Sequence, residues 1–408
     1  MTMIFSVLRP AKFRYFFLSD IISGFGVGMS TIGANWFLMD KTGSISAIGF
    51  MLSLNVIAGF LISPFVGSLT DKFNRKAIIQ WTYFIRAAAV LAIMGLFLWT
   101  GFRIEYLYLF TIVNGMGWTI YMSASRSLVQ ELLPEKDLIK GNSLIEISLQ
   151  VGMFMAGAAS GVLYKYSGFE VILLINALVF IVSSLLLFRV SYEAIAVENK
   201  GESFVSSFKN GLSYLAERPF IFFLGVIAII PLVSTMIYNV VLPGYVSDAV
   251  KGDSVVFGLA DMFYGIGGLL SGFIAAPLAA KLSKNTTIAI FFAVAFGVLI
   301  AVAFNTFAFV LYLGSVLIGL SNSSLRIVMT TTLMETVSKS YMGRAMSVWM
   351  AISLLLQTVS ASALGLLIDR YSAAVGFLCM GGLMLVGLIL HRMLVASSGV
   401  KAKKSLEV

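Results

Sequence analysis

Three carboxylates stand inside long apolar runs of the chain, Asp20, Glu146 and Asp261. Each lies about two helical turns from one end of its run. A charge inside a membrane-length segment is costly and is usually kept for function. A carboxyl group in low dielectric has a raised pKa, so it can load and release a proton near neutral pH. Asp20, Glu146 and Asp261 are therefore candidate proton carriers. The alternative for Asp20 and Glu146 is a structural ion pair with Arg86 or Arg126, and Asp261 can simply sit near outer headgroups. Arg86 lies in the third apolar run, and Arg126 and Arg326 lie at the ends of the fourth and tenth.

A second constellation is GSLTDKFNRK, Gly67–Lys76, a short charged stretch between the apolar runs Ile45–Val66 and Ala77–Thr100. Such a loop must lie at a membrane surface. Asp71 there is a poor proton carrier. Its carboxylate can instead cap the positive N-terminus of another helix and pair with an arginine. The helix expected to begin near Tyr341–Arg344 is the candidate partner. A purely topological role explains Lys72, Arg75 and Lys76 but not Asp71.

Composition says what must hold these groups. Of 408 residues, 59% are hydrophobic and 12% charged, with mean hydropathy +0.97. Soluble domains carry about 25% charged residues. Most side chains must therefore face lipid or other helices. The 37 glycines suit helices that pack closely and slide. The single cysteine, Cys379, forms no internal disulfide, and the single histidine, His391, ends the last apolar run. No metal site is expected, and a histidine-based catalytic centre is close to excluded. The net charge of +9 reflects basic residues at membrane surfaces rather than nucleic-acid binding. The N-terminus lacks a removable signal pattern.

Twelve runs are long enough to span, at 13–39, 44–70, 77–100, 105–128, 138–165, 169–188, 220–246, 254–281, 286–303, 307–331, 341–368 and 373–394. With both termini in the cytoplasm, 23 of the 28 lysines and arginines fall on or near the inner surface, as the positive-inside rule requires. The polar segment Ser191–Arg218 divides the chain, and within it Ser203–Leu215 has the apolar spacing of an interfacial helix. The expected organisation is 1–190 as an N-terminal six-helix bundle, 191–218 as a cytoplasmic linker and 219–408 as a C-terminal six-helix bundle.

The halves also echo one another. Gln130–Leu144 recurs as Met334–Val348, placing Glu131 on Glu335 and Ser143 on Ser347. The charged loop recurs as Ala276–Lys284, with Lys281 and Lys284 in place of Lys72 and Arg75 and with Ala280 in place of Asp71. Parallel repeats of this kind are found in the two halves of one transporter fold.

On the loop motif, the helix count, the central linker and the repeat, the chain resembles the major facilitator superfamily of secondary transporters. Phe13–Gly26, Met39–Ser53, Ser125–Leu144 and Phe208–Leu224 look like the macrolide-efflux and enterobactin-exporter branch. Two positions depart from related patterns. Ala158 in GAASG, Gly157–Gly161, stands where exporters often carry proline, and Asn74 stands where glycine is common, tolerating the left-handed backbone glycine would supply.

The resemblance implies an all-α membrane protein of twelve transmembrane helices in two pseudo-symmetric six-helix bundles. It implies a latch of Gly67, Asp71, Arg75, Arg126, Glu131, Glu335 and Arg344 that closes the cytoplasmic side, with Lys284–Glu335 mirroring Arg75–Glu131. It implies a central cavity whose polar and aromatic candidates are Asn35, Trp36, Asn55, Asn114, Trp118, Tyr121, Tyr238, Asn239, Tyr264, Trp349 and Gln357. That mixture suits an amphipathic organic molecule.

The expected function is export of a small amphipathic compound of drug or antibiotic type by proton antiport with alternating access. A dedicated siderophore exporter and a nutrient importer are the alternatives. Substrate and protons are the partners, the bilayer the setting, and the proton gradient the energy source with no cofactor. A monomer in a bacterial inner membrane, binding no nucleic acid, is expected. A membrane enzyme lacks support, because no nucleophile–base pair and no phosphate-binding glycine loop is present. A channel would differ in carrying unsaturable flux.

Overall fold

The computed structural model describes residues 5–134, 137–190, 204–338 and 341–404. Within helices the surroundings of Gly67 and the side chains of Asp71, Lys72 and Glu146, among others, lie outside the described residues. All regular structure among the described residues is helical. After a short 3-10 turn, Phe5–Leu8, come α1 (Ala11–Thr42), α2 (Ile45–Lys72), α3 (Arg75–Thr100), α4 (Ile104–Leu132) and α5 (Leu138–Phe188). Then follow α6 (Phe204–Ala216), α7 (Pro219–Gly244), α8 (Ser254–Leu282), α9 (Lys284–Ala303), α10 (Ala308–Thr336), α11 (Met342–Arg370) and α12 (Ala373–Lys404).

Local chemistry sets the breaks. Gly43 closes α1 at φ 62° and donates its N–H to the Met39 carbonyl, a left-handed cap that glycine adopts without strain. The Ser44 hydroxyl then caps α2 by accepting from Ala47 N–H at 3.2 Å. Gly168, at φ 79° and ψ 177°, breaks α5 between the fifth and sixth expected runs. Pro219 opens α7, where a missing N–H costs nothing.

The role expected for Asn74 is corrected. Its φ is −58°, not left-handed, and its side chain accepts from Ala77 N–H at 3.0 Å to start α3. Ser283 holds the matching place before α9 and accepts from Thr286 N–H at 3.3 Å. The repeated loop therefore conserves a helix N-cap, which asparagine and serine both provide.

Ten helical stretches among the described residues are long and apolar enough to cross a membrane. Each of the twelve expected runs lies on a helix, the fifth and sixth sharing α5. α4 is not among the ten, because Asn114, Ser123, Ser125, Arg126 and Glu131 dilute its apolar character.

The chain divides by its internal contacts into two compact units. The first comprises Met1–Lys200 with Gly252–Met262, and the second comprises Gly201–Lys251 with Phe263–Val408. In the first, α1 lies along α5, α2 packs on α4, and α3 packs on both α4 and α5. In the second, α7 packs on α10, α11 and α12, α9 on α10 and α12, and α6 on α11.

The start of α8 belongs to the first unit for a steric reason. Gly157 faces Gly258 so closely that a Cβ on it would come within 2.8 Å of the Gly258 carbonyl oxygen. Ser254 Oγ donates to the Gly161 carbonyl at 2.8 Å, and Trp36 stacks on Phe257 at 5.4 Å. Small residues allow such backbone approach where lipid offers no hydrophobic drive between helices.

Candidate transport site

α1, α3, α4 and α5 bring a polar cluster together inside the first unit. Asp20 on α1 is 1% exposed. Tyr121 Oη on α4 donates to its Oδ1, and Ser148 Oγ on α5 donates to its Oδ2. Tyr83 on α3 donates to Ser23 Oγ at 2.8 Å, and its ring stacks on Tyr121 at 5.7 Å and on Phe180 at 5.8 Å.

Arg86, one turn further along α3, is 2% exposed. Its Nη2 donates to Asn114 Oδ1 at 2.6 Å, and its guanidinium lies 4.2 Å over the Phe180 ring. Gly117 makes room for it, since a Cβ there would meet Arg86 Cδ at 2.5 Å. An unbroken series of contacts, Arg86–Phe180–Tyr83–Tyr121–Asp20, thus joins a buried cation to a buried acid.

Tyr121 and Ser148 meet Asp20 with hydroxyls, which can accept as well as donate. When Asp20 is ionised they supply hydrogen bonds that offset its lost hydration. When it is protonated, either oxygen can receive its proton in a hydrogen bond. These two hydroxyls can therefore serve the acid in both of its states.

The other carboxylates are placed differently. Asp261 on α8 is half-buried, and its Oδ2 lies 3.1 Å from where a Cβ on Gly157 would stand. It is apart from the contacts just described around Asp20. The Glu146 side chain lies outside the described residues. Arg126 and Arg326 are exposed.

The cavity candidates divide between partners already in use and packing. In the first unit Asn55 Nδ2 donates to the Thr111 carbonyl at 3.1 Å, Asn114 holds Arg86, and Trp118 lies 6.1 Å from Tyr121. Asn35 and Trp36 are buried on α1. In the second unit Trp349 is buried against Gly225, Gln357 Nε2 donates to Ser353 Oγ at 2.9 Å, and Asn239 is half-buried.

Tyr238 and Tyr264 form a second polar cluster. Their rings stack at 4.5 Å, and the Tyr238 and Ser315 hydroxyls bond at 2.8 Å. The Tyr264 hydroxyl bonds Thr235 at 2.9 Å and accepts from Asn322 Nδ2 at 3.2 Å. Asn322 also donates to Ser234 Oγ at 3.3 Å. Its Oδ1 is buried without a hydrogen-bond partner, as are the hydroxyls of Ser321 and Ser324. Sequence reasoning missed Asn322, Ser148 and Tyr83. The run SNSS at 321–324, polar inside an apolar helix, was the available signal for the first.

At the helix ends, Arg75 pairs with Glu131 and Lys284 pairs with Glu335. Lys76 Nζ donates to the Val190 carbonyl at 2.7 Å. Arg344 lies over the Tyr341 ring at 5.2 Å. The environments of Gly67 and Asp71 lie outside the described residues.

The chain as a whole is similar to known proteins. The family model described as Major Facilitator Superfamily covers residues 16–234 and 224–407. YvqJ of Bacillus subtilis (strain 168), an uncharacterised transporter of this type, is 22% identical over 278 residues, so the match spans 65% of each chain. Macrolide efflux protein A of Streptococcus pyogenes is 21% identical over 357 residues, covering 86% of this chain and 87% of that protein. A bacterial homologue of the iron transporter ferroportin, solved in an inward-facing state, aligns with TM-score 0.76 at 16% identity, covering 94% of this chain and 98% of the other. That likeness speaks for the fold alone. With ten apolar helices of membrane-spanning length among the described residues and a family match along nearly its whole sequence, the chain is a multi-pass membrane transporter belonging to the Major Facilitator Superfamily.

Proposed function

We propose that the protein exports a small amphipathic organic compound in exchange for protons, with Asp20 as the proton-carrying acid. The observation that carries this reading is the buried Asp20 carboxylate held by the Tyr121 and Ser148 hydroxyls. A carboxylate so deeply desolvated is costly. A pair of two-way hydroxyl partners suits a group that changes protonation during a cycle. The similarity to macrolide efflux protein A supports an outward direction and a drug-like substrate.

In this reading the protein lies in a bacterial inner membrane with both termini inside, and two six-helix halves rock about a central site. Asp261 and Glu146 are secondary acids, and Arg75–Glu131 and Lys284–Glu335 belong to an inner latch with Asp71. The test is transport of a fluorescent macrolide-like or cationic dye by the protein in proteoliposomes under an imposed pH gradient. Uptake into inside-out vesicles that follows the gradient and is lost in Asp20→Asn supports the reading. Saturable transport indifferent to the gradient would remove the proton coupling.

A further inference from the structure

The second unit carries a groove between α9 and α12. Its volume is about 490 Å³, within the roughly 300–1,000 Å³ of ligand pockets. The small side chains of Ala289 and Ala293 on α9 leave the space, and Leu388, Ile389 and Met393 on α12 bound it. The groove opens at the surface of the bundle, for Ile389 and Met393 are 49% and 64% exposed. On a membrane-spanning surface such side chains meet lipid tails, which are as apolar as they are.

Arg392 is the single charged residue lining the groove. It is exposed, and none of the ion pairs among the described residues engages it. Its neighbour fixes its level. His391 is 1% exposed, and its Nε2 lies 3.2 Å from the carbonyl oxygen of Asn285, in the first turn of α9. Arg392 therefore stands level with the start of α9. Ala289 and Ala293 lie about 6 and 12 Å further along that helix, at about 1.5 Å per residue. The groove thus runs from a cation at one helix end into an apolar zone, the same order as headgroup and acyl chain in a phospholipid.

The charge of the surroundings selects the headgroup. Neither α9, Lys284–Ala303, nor α12, Ala373–Lys404, contains an acidic residue. Glu335 of α10 is committed to Lys284, at the same end of α9. A zwitterionic headgroup brings its own cation against Arg392, whereas an anionic one does not. Guanidinium groups match phosphoryl oxygens, and basic pockets between membrane helices suit anionic headgroups.

We propose that this groove binds an anionic phospholipid, with one acyl chain along Ala289 and Ala293 and the phosphate on Arg392. The lipid bridges α9 and α12 from outside the bundle, whatever the protein transports.

The test is native mass spectrometry of the full-length protein in detergent, counting bound phosphatidylglycerol against phosphatidylcholine with the same acyl chains. The wild type is expected to retain phosphatidylglycerol several-fold better. Arg392→Gln removes the charge, and Ala293→Phe fills the groove without altering charge. Both positions are exposed, so neither substitution disturbs the core. Bound phosphatidylglycerol should fall several-fold in each and stay unchanged in Arg103→Gln, an exposed arginine of the first unit. Equal retention of the two lipids by the wild type overturns the proposal. So does a preference that survives Arg392→Gln or Ala293→Phe, or an equal loss in Arg103→Gln.

Discussion

Arg75 at the start of α3 is ion-paired with Glu131 at the end of α4, with side chains only 13% and 7% exposed. Its counterpart in the second unit, Lys284 with Glu335, is 37% and 58% exposed. The same repeat therefore yields one buried pair and one wet pair. Removing one partner of a buried pair leaves an uncompensated charge and costs about 3–5 kcal/mol, whereas an exposed pair contributes about 0–1 kcal/mol. Glu131→Gln is expected to lower the melting temperature of the purified protein clearly, and Glu335→Gln to leave it almost unchanged. Equal losses in a thermal melt would contradict this asymmetry.

Asp20 should separate coupling from folding. Asn keeps the shape and can still bond the Tyr121 and Ser148 hydroxyls, but it cannot ionise. Asp20→Asn is expected to melt within about 1 kcal/mol of the wild type, the scale of one net hydrogen bond, and to lose response to a pH gradient. Asp20→Leu leaves the Tyr121 hydroxyl without its carboxylate partner in a buried site, while Ser148 keeps the Ile145 carbonyl at 2.7 Å, and should destabilise by about 1–3 kcal/mol. A gradient response that survives in the Asn variant would assign the proton to another group.

The membrane character and the helix positions were legible because a span needs an apolar run of fixed length, and nothing else in the chain offers one. The gap between the runs 138–165 and 169–188 was equally readable, and the structure puts the break there, at Gly168. Pairwise contacts were not. Asp20 stood out as a charge in an apolar run, but its donors lie 101 and 128 residues away, and serine and tyrosine are ordinary residues in such helices. Asn74 misled because the same residue type serves both left-handed turns and N-caps, and only the backbone angle distinguishes them. The grouping of the α8 start with the first unit depends on glycines in two distant helices, which no local pattern announces.

Gly117 is expected to be intolerant of any side chain. Its Cα faces the stem of Arg86, and a methyl group would stand 2.5 Å from Arg86 Cδ. Arg86 cannot move freely, being held by Asn114 and by Phe180. Overpacking of this kind costs about 1–3 kcal/mol. Gly117→Ala should lower the melting temperature, while Gly95→Ala, with open space around it, should not. The comparison is a pair of thermal melts in detergent.

Asp253 introduces a pH dependence at the α8 start. Lys165 Nζ donates to it at 2.7 Å, and the Val255 and Val256 N–H groups donate to its other oxygen at 3.0 and 3.1 Å. The Lys165 hydrogen bond, against some opposing burial, holds its carboxyl below the usual carboxylate range. A depressed folded-state pKa gives stability that is present above the unfolded value and is lost as pH falls through the folded one. The loss therefore belongs below about pH 4, and both side chains are 45% exposed, so it is small and weakened by salt. Asp253→Asn keeps the cap and should flatten the acid limb of a melting-temperature-versus-pH curve while leaving neutral pH nearly unchanged.

Asn322 offers a sharper view of specificity than the residues singled out from sequence. Its amide nitrogen is committed to Tyr264 and Ser234, but its Oδ1 is buried without a partner. A buried carbonyl oxygen left unpaired costs about 1–3 kcal/mol, so the protein carries that cost in the resting state. A substrate bearing an N–H or O–H would recover it, and one lacking a donor would not. Asn322→Leu removes the costly acceptor together with two long hydrogen bonds, and Tyr264 retains Thr235 as a partner. Stability should therefore change by less than about 1 kcal/mol, because the two effects oppose each other. Transport should change selectively, with KM rising for donor-bearing substrates and staying level for analogues in which the donor is methylated. Parallel transport assays of a donor-bearing compound and its methylated analogue decide it, and an equal effect on both would place Asn322 away from the substrate.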